Sequence, residues 1–469
     1  MIPFTPFRTV RRGVTALILI LALSAPLCTW GAEKLLIKNG LLMTMAPGQE
    51  KPFVGYIAVG ENGKISALGV GAPPATLTAT TVYDATGKFI TPGFVSAHSH
   101  IWQTAFRGLA ANQYVRGWGG FVYRQMAVQS TAEDFYWFTL HGSLDHLIHG
   151  ITSVYNFTYG SRGAGDFARQ QWRGQIDSGV RFIHAYARDR ELPPEQQRAE
   201  LKAFLEETKV ERSQNPGFLR MSIAGSYANA ATVKLDADLM KEFGLSNQTH
   251  FLEYPLDRAL QQGTFSYLLD AAILGPDFSF GHFIHTTDEM LRTVSAAGSG
   301  FSWNPLSNGR LASGIVDIPK YRSFGVKIGM GVDGQASADL PDPFENMRMG
   351  LYMVRAKYES ALVLQPADVL RFHTLGSAEV LNVADKVGSL EPGKFGDVLV
   401  IDPKAIDRAP VFDAYATLVF ACNTMNLERV YVGGELTIQG HRPTKHDFSK
   451  IASELSTRVT KLKPPGPLP

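Results

Sequence analysis

The sequence predicts an α/β protein, a distorted (β/α)8 TIM barrel with a small β-sandwich domain formed by the N- and C-terminal segments. Three observations carry that prediction. Short β-rich runs broken by turn residues occupy both ends of the chain. Between them, strand-like and helix-like stretches alternate over roughly 290 residues, which means a parallel sheet and, at that length, a closed barrel. The chain has 469 residues, with 45 glycines and 26 prolines but no low-complexity tract, so it is long enough for a large core and compact rather than disordered.

Residues 1–32 differ from all that follows. Arg8, Arg11 and Arg12 precede the apolar run GVTALILILALSAPLC, too short for a comfortable bilayer span, and TWGA comes after it. This reads as a secretory signal cut after Gly31 or Ala32, giving an exported, periplasmic protein with no membrane association once the signal is removed. An uncleaved anchor is the other reading of the same run. The pair Arg11-Arg12 fits a twin-arginine signal poorly, and Leu27 stands where a lipidated Cys28 would need a small residue. The only other cysteine is Cys422, so the mature chain has no disulfide framework.

Residues 33–92 hold LLIKNGLLMTM, FVGYIAVGENGKISALGVG and TVYDATGKFITPG, where the ENGK and ATGK turns separate small antiparallel strands. Residues 387–445 hold a second set, VGSLEPGKFGDVLVIDP and ERVYVGGELTIQG, and the two sets are expected to form one β-sandwich. A C-terminal helix and tail fill 446–469. The barrel spans 93–386. Its first strand is FVSAHSH, and its later strand candidates are GVRFIHAYA, RMSIAGSYA, QTHFLEYP, FSFGHFIH, SGFSWNP and VKIGMGVDG. Helical periodicity fills the intervals, as in PPEQQRAELKAFLEETKVERS and TTDEMLRTVSAAG. No internal repeat is visible.

Charge narrows the partners. The whole chain is +2, and loss of the three signal arginines leaves 42 Lys+Arg against 43 Asp+Glu, near −1. A neutral chain has no field for nucleic acid or acidic membranes, so a small molecule is the expected partner.

The stretch TPGFVSAHSH places His98 and His100 two apart at a strand end. Side chains alternate along a strand, so both imidazoles point into the barrel near the C-terminal face, where such barrels keep their active sites. A lone His-x-His is more often a satisfied polar strand end. Here it has company: His250 followed by Glu253 in QTHFLEYP, His282 in SFGHFIHTTDEM, and Asp333 closing IGMGVDGQAS, each at the end of a strand candidate.

These motifs in this order resemble the amidohydrolase superfamily, and within it the cytosine deaminase, guanine deaminase and triazine hydrolase branch. IWQTAFRGLAANQ, NPLSNGRLASGI, DPFENMRMGL, DVLRFHTLGSAEVL and VGSLEPGKFGDVLVID extend the likeness across nearly the whole mature chain. The resemblance implies that His98, His100, His250 and Asp333 ligate one divalent metal ion, Zn²⁺ or Fe²⁺. It makes Glu253 a proton shuttle, His282 a residue that polarises substrate or orients water, and Asp333 an acceptor of the water proton. Such an ion lowers the pKa of its water from about 15.7 towards about 7. The strand-like run RMSIAGSYA carries no lysine, so the carbamylated bridging lysine of binuclear relatives is not expected. Gln103 and Arg107 match positions that lie near substrate in the branch.

Three positions depart from the branch pattern: Trp303 replaces a frequent His, Asn156 a frequent Asp, and Tyr254-Pro255 a Thr-Pro or Thr-Ser. Trp303 is either packing or an aromatic wall for a flat ring. His146 and His149 read as decoration of a helix face rather than as ligands, and His285, His373, His441 and His446 as structural or solvent-facing. His184 and Arg188 follow a strand and are less expected to reach the pocket than to miss it. The glycines of GSGFSWN and GMGVDG lack the spacing of nucleotide loops.

The expected function is a metal-dependent hydrolase that removes an amino group from an N-heteroaromatic ring. Hydrolysis of a cyclic amide, an amidine or a C–Cl bond is the enzymatic alternative, and a non-catalytic binding protein of the same fold the other. Homo-oligomers are frequent in the family and compatible with this reading.

Overall fold

The computed structural model describes residues 32–160, 164–404 and 410–466. The expected export signal lies outside the described residues, and no helix among them is long and apolar enough to cross a membrane.

Eight parallel strands close a barrel, in the order Phe94–His100, Ile151–Phe157, Arg181–Tyr186, Phe218–Ala224, Ser246–Phe251, Phe278–His282, Gly300–Trp303 and a split eighth. The eighth pairs through Lys327–Met330 with the seventh and through Asp333–Gly334 with the first. The break falls at Gly331, where a Cβ would sit 2.6 Å from Asn304 Oδ1 and 2.7 Å from the His98 carbonyl oxygen. Only glycine lets the chain pass that close to the barrel centre. The sequence-based strand series omits Ile151–Phe157. Its run ITSVYNF carries buried Thr152, Ser153 and Asn156, so it lacks the continuous apolar signature of a strand covered on both faces.

Helices cover the outside. Ala132–Ile148 starts from a capping box in which Thr131 and Asp134 satisfy each other's backbone N–H, and Asp288–Ala297 runs from the Thr287 cap to Gly298 at φ 76°. A single large core of aromatic and aliphatic side chains fills the layer between strands and helices. Each fully buried Phe, Leu or Ile in it contributes about 1.5–3 kcal/mol.

Both chain ends build a second sheet, in which Phe89–Pro92 lies between Glu33–Leu42 and Val398–Ile401. Its pairing is mixed. Glu33–Leu42 runs antiparallel to Phe53–Val59 but parallel to Ala79–Asp84 and Phe89–Pro92, which corrects the expectation of purely antiparallel strands. The sheet curls until Ile65 N–H donates to the Lys394 carbonyl and Gly396 N–H to the Gly63 carbonyl. One small core then unites Leu35, Ile37 and Val59 with Val398, Val400 and Tyr431. A buried ion pair joins sheet to barrel: the Arg181 guanidinium donates to Asp397 through Nε (2.7 Å) and Nη2 (2.9 Å) while stacked on Phe395.

Candidate metal centre and active site

The C-terminal ends of strands one, five, six and eight bring His98, His100, His250, His282 and Asp333 together. His98 Nε2 and His100 Nε2 lie 3.4 and 3.5 Å from Asp333 Oδ1, and the Nε2 atoms of His100 and His250 are 3.0 Å apart. All five side chains are buried or nearly so.

The ring orientations are set from behind. His98 Nδ1 is 2.6 Å from Gln248 Oε1, whose own amide donates to the Ala97 carbonyl and to Ser279 Oγ. His100 Nδ1 meets the Phe157 carbonyl at 3.1 Å. With the Nδ1 protons engaged, the Nε2 lone pairs are left to converge. His98 Nε2 is buried without a hydrogen-bond partner, which costs free energy unless a cation occupies the focus. Three nitrogens and one carboxylate oxygen therefore fit one divalent ion of the Zn²⁺ or Fe²⁺ type.

Burial, reinforced by the neighbouring imidazoles, lowers His100 to about 3 and holds His250 well below its ordinary value, so both are neutral ligands near pH 7. Two carboxyls share the site and divide the charge between them. Burial raises both; Asp333, with His98 Nε2 3.4 Å from its Oδ1 and His282 and His100 beside it, is nevertheless held well below the usual range, whereas Glu253 has only the repulsion of Asp333 added and is pushed well above it. Asp333 keeps the charge and Glu253 the proton.

His282 faces both acids, with Nε2 3.5 Å from Glu253 Oε2 and 3.9 Å from Asp333 Oδ2. Asn308 donates its amide N–H to His282 Nδ1 at 2.8 Å, which puts the ring proton on Nε2, toward the acids. Burial lowers this imidazole to about 3, so it acts as a neutral donor. The backbone is strained here: Leu252 (φ 55°), His282 (φ 70°), Phe283 (φ 51°) and Asp333 (φ 55°) all adopt left-handed conformations. Such turns cost on the order of 1–3 kcal/mol each and aim strand-end side chains inward.

A cavity of about 280 Å³ opens over the cluster, lined by His100, His250, Glu253, His282 and Asp333 on its floor. Val115, Trp118, Gly119, Tyr123, Tyr227 and Leu311 form its apolar and aromatic walls. The wall segment Val115–Phe121 and its continuation to Met126 cover the barrel mouth. Trp118 Nε1 pins it to the Ala336 carbonyl at 2.7 Å, and Arg116 Nε donates to Asp257 at 2.9 Å.

Several expected residues lie elsewhere. Arg107 turns away from the cavity and pairs with Asp145 at 2.5 Å, because the short helical turn Ile101–Phe106 after the first strand carries it past the barrel mouth. Trp303 packs outward: it is 1% exposed, and a Cβ on Gly350 would meet its ring at 2.7 Å, which corrects the aromatic-wall reading. Strand alternation explains this, since its neighbour Ser302 takes the inward position beside Gly331. Gln103 does not line the cavity but stands behind it, donating to the Tyr123 hydroxyl at 3.1 Å. His184 is buried against Gln175 and Trp172, and Arg188 pairs with Asp236, both away from the metal cluster. His146 is fully buried rather than a surface decoration, its Nδ1 bonded to the Gly142 carbonyl, and His149 pairs with Asp145. His373 is structural, held between the Val95 carbonyl and Asn346.

Gln248 and Asn308 were not singled out in the sequence. Gln248 sits two residues before His250 and so on the same strand face, a signal available in principle. Asn308 lies on the short helix Pro305–Arg310 and carries no such pattern.

Comparison with known proteins gives the chain its relatives. The model of the amidohydrolase family matches residues 89–437. A 5'-deoxyadenosine deaminase from Methanosarcina mazei is 25% identical over 436 residues, covering 91% of this chain and 98% of its own. The zinc-bound structure of an adenosine deaminase from Xanthomonas campestris superposes with a TM-score of 0.81 at 21% identity, covering 92% of this chain and 99% of its own. Zinc-complexed atrazine chlorohydrolase from Arthrobacter aurescens TC1 gives a TM-score of 0.80 at 20% identity, covering 91% of this chain and 100% of its own. At these identities the structures share the fold.

Proposed function

This chain belongs to the amidohydrolase family, and from that premise we propose that it is a mononuclear metal enzyme that hydrolytically deaminates an N-heteroaromatic ring. The observation that carries the reading is the convergence of His98, His100, His250 and Asp333 on one point, with Glu253 and His282 beside them at the floor of a cavity with apolar and aromatic walls. Curated relatives named as deaminases of adenosine derivatives support the same bond type.

His98, His100 and His250 through Nε2, with a carboxylate oxygen of Asp333, would hold the ion, which we take to be Zn²⁺ or Fe²⁺. When bound, it supplies Lewis acidity that makes water a nucleophile near neutral pH. The remaining chemistry belongs to side chains. Asp333 accepts the proton of the attacking water, for which an ionised carboxylate is required. Glu253 delivers its proton to the ring nitrogen next to the attacked carbon, so the ring accepts the electron pair as the C–O bond forms. His282 donates from Nε2 to the oxygen being added, its tautomer held by Asn308. Breaking the C–N bond then requires a proton on the departing amine, which Glu253 relays from the water. Asp333 finally passes the first water proton to Glu253, so that water is added, ammonia leaves, and both acids return to their starting states. The walls Val115, Trp118, Tyr123, Tyr227 and Leu311 exclude bulk water and present flat faces to a planar ring.

The test is release of ammonia. Residues 33–469 loaded with Zn²⁺ or Fe²⁺ are incubated with aminated purines, pyrimidines, pterins and triazines; ammonia from at least one, abolished by chelation, is expected. Ring opening of cyclic amides without ammonia release would move the activity to the alternative bond. We propose further that residues 1–32 direct export to the periplasm, checked by N-terminal sequencing of the protein from fractionated cells; an uncleaved N-terminus in the cytoplasm would rule it out.

A further inference from the structure

The segment over the catalytic cavity carries a notch. Val115, Gly119 and Tyr123 recur at four-residue spacing along Val115–Met126, which places them in one stripe on one face. All three line the catalytic cavity of about 280 Å³, and the same three also line an outer cleft of about 580 Å³ together with Arg116 and Arg124. The inner and outer spaces therefore meet along this stripe, and its middle member has no side chain.

Nothing in the fold requires glycine there. Gly119 has no left-handed φ, and a Cβ built on it meets no atom within 4 Å. Glycine inside a helix is less stable than alanine, because it loses more backbone freedom on folding. A glycine that neither conformation nor packing explains, set between Val and Tyr on a cavity wall, keeps space open. The neighbouring Gly117 differs: its Cβ would run into the Gln113 side chain, away from the cavity.

We propose that Gly119 determines substrate size, and that the substrate is an aminated N-heteroaromatic ring bearing a substituent on the edge remote from its amine, which passes over Gly119 into the outer cleft. This rests on the deamination reading of the same cavity. The ring occupies the inner cavity, where Glu253, His282 and Asp333 reach the carbon–nitrogen bond. The substituent lies in an outer cleft large enough for a group as bulky as the ring.

The experiment compares kcat/KM for adenine, guanine and cytosine with that for their N-alkyl derivatives and ribosides, in the metal-loaded full chain. The wild-type protein is expected to favour the substituted forms. Gly119→Leu is expected to lower the ratio of substituted to bare kcat/KM by at least about tenfold, the scale of one or two methylenes in a tight pocket, and Gly119→Ala by less. Gly117→Ala is expected to leave the ratio alone. The melting temperature of Gly119→Ala should equal or exceed the wild-type value. An unchanged ratio in Gly119→Leu, or a Gly119→Ala protein that unfolds early, would overturn the proposal by showing the glycine to be neutral or structural. Loss of ammonia release from every ring, bare and substituted, in the wild-type protein itself would instead refute the deamination reading on which it rests.

Discussion

Replacing Gln248 by leucine removes the support of a metal ligand while keeping the buried volume nearly constant. The wild-type amide accepts from His98 Nδ1 at 2.6 Å and donates to the Ala97 carbonyl at 2.9 Å and to Ser279 Oγ at 3.1 Å, and the residue is wholly buried. Leucine makes none of these bonds. The His98 Nδ1–H then has no acceptor, the ring is free to turn, and Nε2 loses its aim at the centre of the cluster. Losing the partner of a ligating imidazole lowers metal affinity about 10- to 100-fold, or roughly 1.4–2.7 kcal/mol. That matches the roughly 1–3 kcal/mol of one buried polar group left unsatisfied. The assay is Zn²⁺ titration of metal-free protein in competition with a chromophoric chelator near neutral pH. Gln262→Leu, which removes a half-buried amide whose partner is the His285 carbonyl and which touches none of the ligands, serves as the control and should keep wild-type affinity. If Gln248→Leu binds Zn²⁺ within twofold of the wild-type protein, the claim that this side chain orients His98 is wrong.

Other substitutions separate the remaining roles. Glu253→Gln keeps shape but has no proton to shuttle, so kcat should fall about 10²- to 10⁴-fold with metal content unchanged, and near wild-type turnover would remove Glu253 from the mechanism. Asn308→Ala frees the His282 tautomer; kcat is expected to drop more than KM changes, while a rise confined to KM would make Asn308 a binding residue instead. Arg181→Met leaves Asp397 buried without its partner and should cost about 3–5 kcal/mol in denaturant unfolding, whereas the double variant Arg181→Met/Asp397→Leu recovers most of that; equal losses in both would mean the pair contributes little of its own. Burial disfavours the charged form of His149, but the Asp145 carboxylate outweighs it and raises the imidazole above its ordinary value. Its contribution to stability is therefore complete below the ordinary histidine value and fades as pH rises through the raised one. Melting temperatures should decline across that window in the wild-type protein and less steeply in His149→Gln, and identical slopes would exclude this pair as the cause.

What the sequence makes legible follows from the physics of each feature. His98, His100, His250, Glu253, His282 and Asp333 are chemically distinctive residues at strand ends, and a barrel brings strand ends together, so order along the chain suffices to group them. Side-chain direction is less legible. Trp303 and Ser302 exchange roles according to which of them faces inward, and the strand Gly300–Trp303 is too short for its alternation to declare itself. Arg107 fails for a related reason: the turn after His100 rotates it toward Asp145, and nothing in AFRGL records that rotation. Gln248 and Asn308 are amides, which are common on strands and helix starts, so their support of His98 and His282 emerges only from distances. The left-handed backbone at Leu252, His282 and Asp333 is invisible because no glycine marks any of the three positions.

The central claim is that water replaces an amine on a heteroaromatic ring. Mass spectrometry of the product formed in H₂¹⁸O by the metal-loaded protein tests it most directly. The account predicts a product that has lost its amine nitrogen and gained one ¹⁸O on the same ring carbon, with an equal amount of ammonia. A product that retains its nitrogen and carries the added ¹⁸O through an opened ring would contradict it.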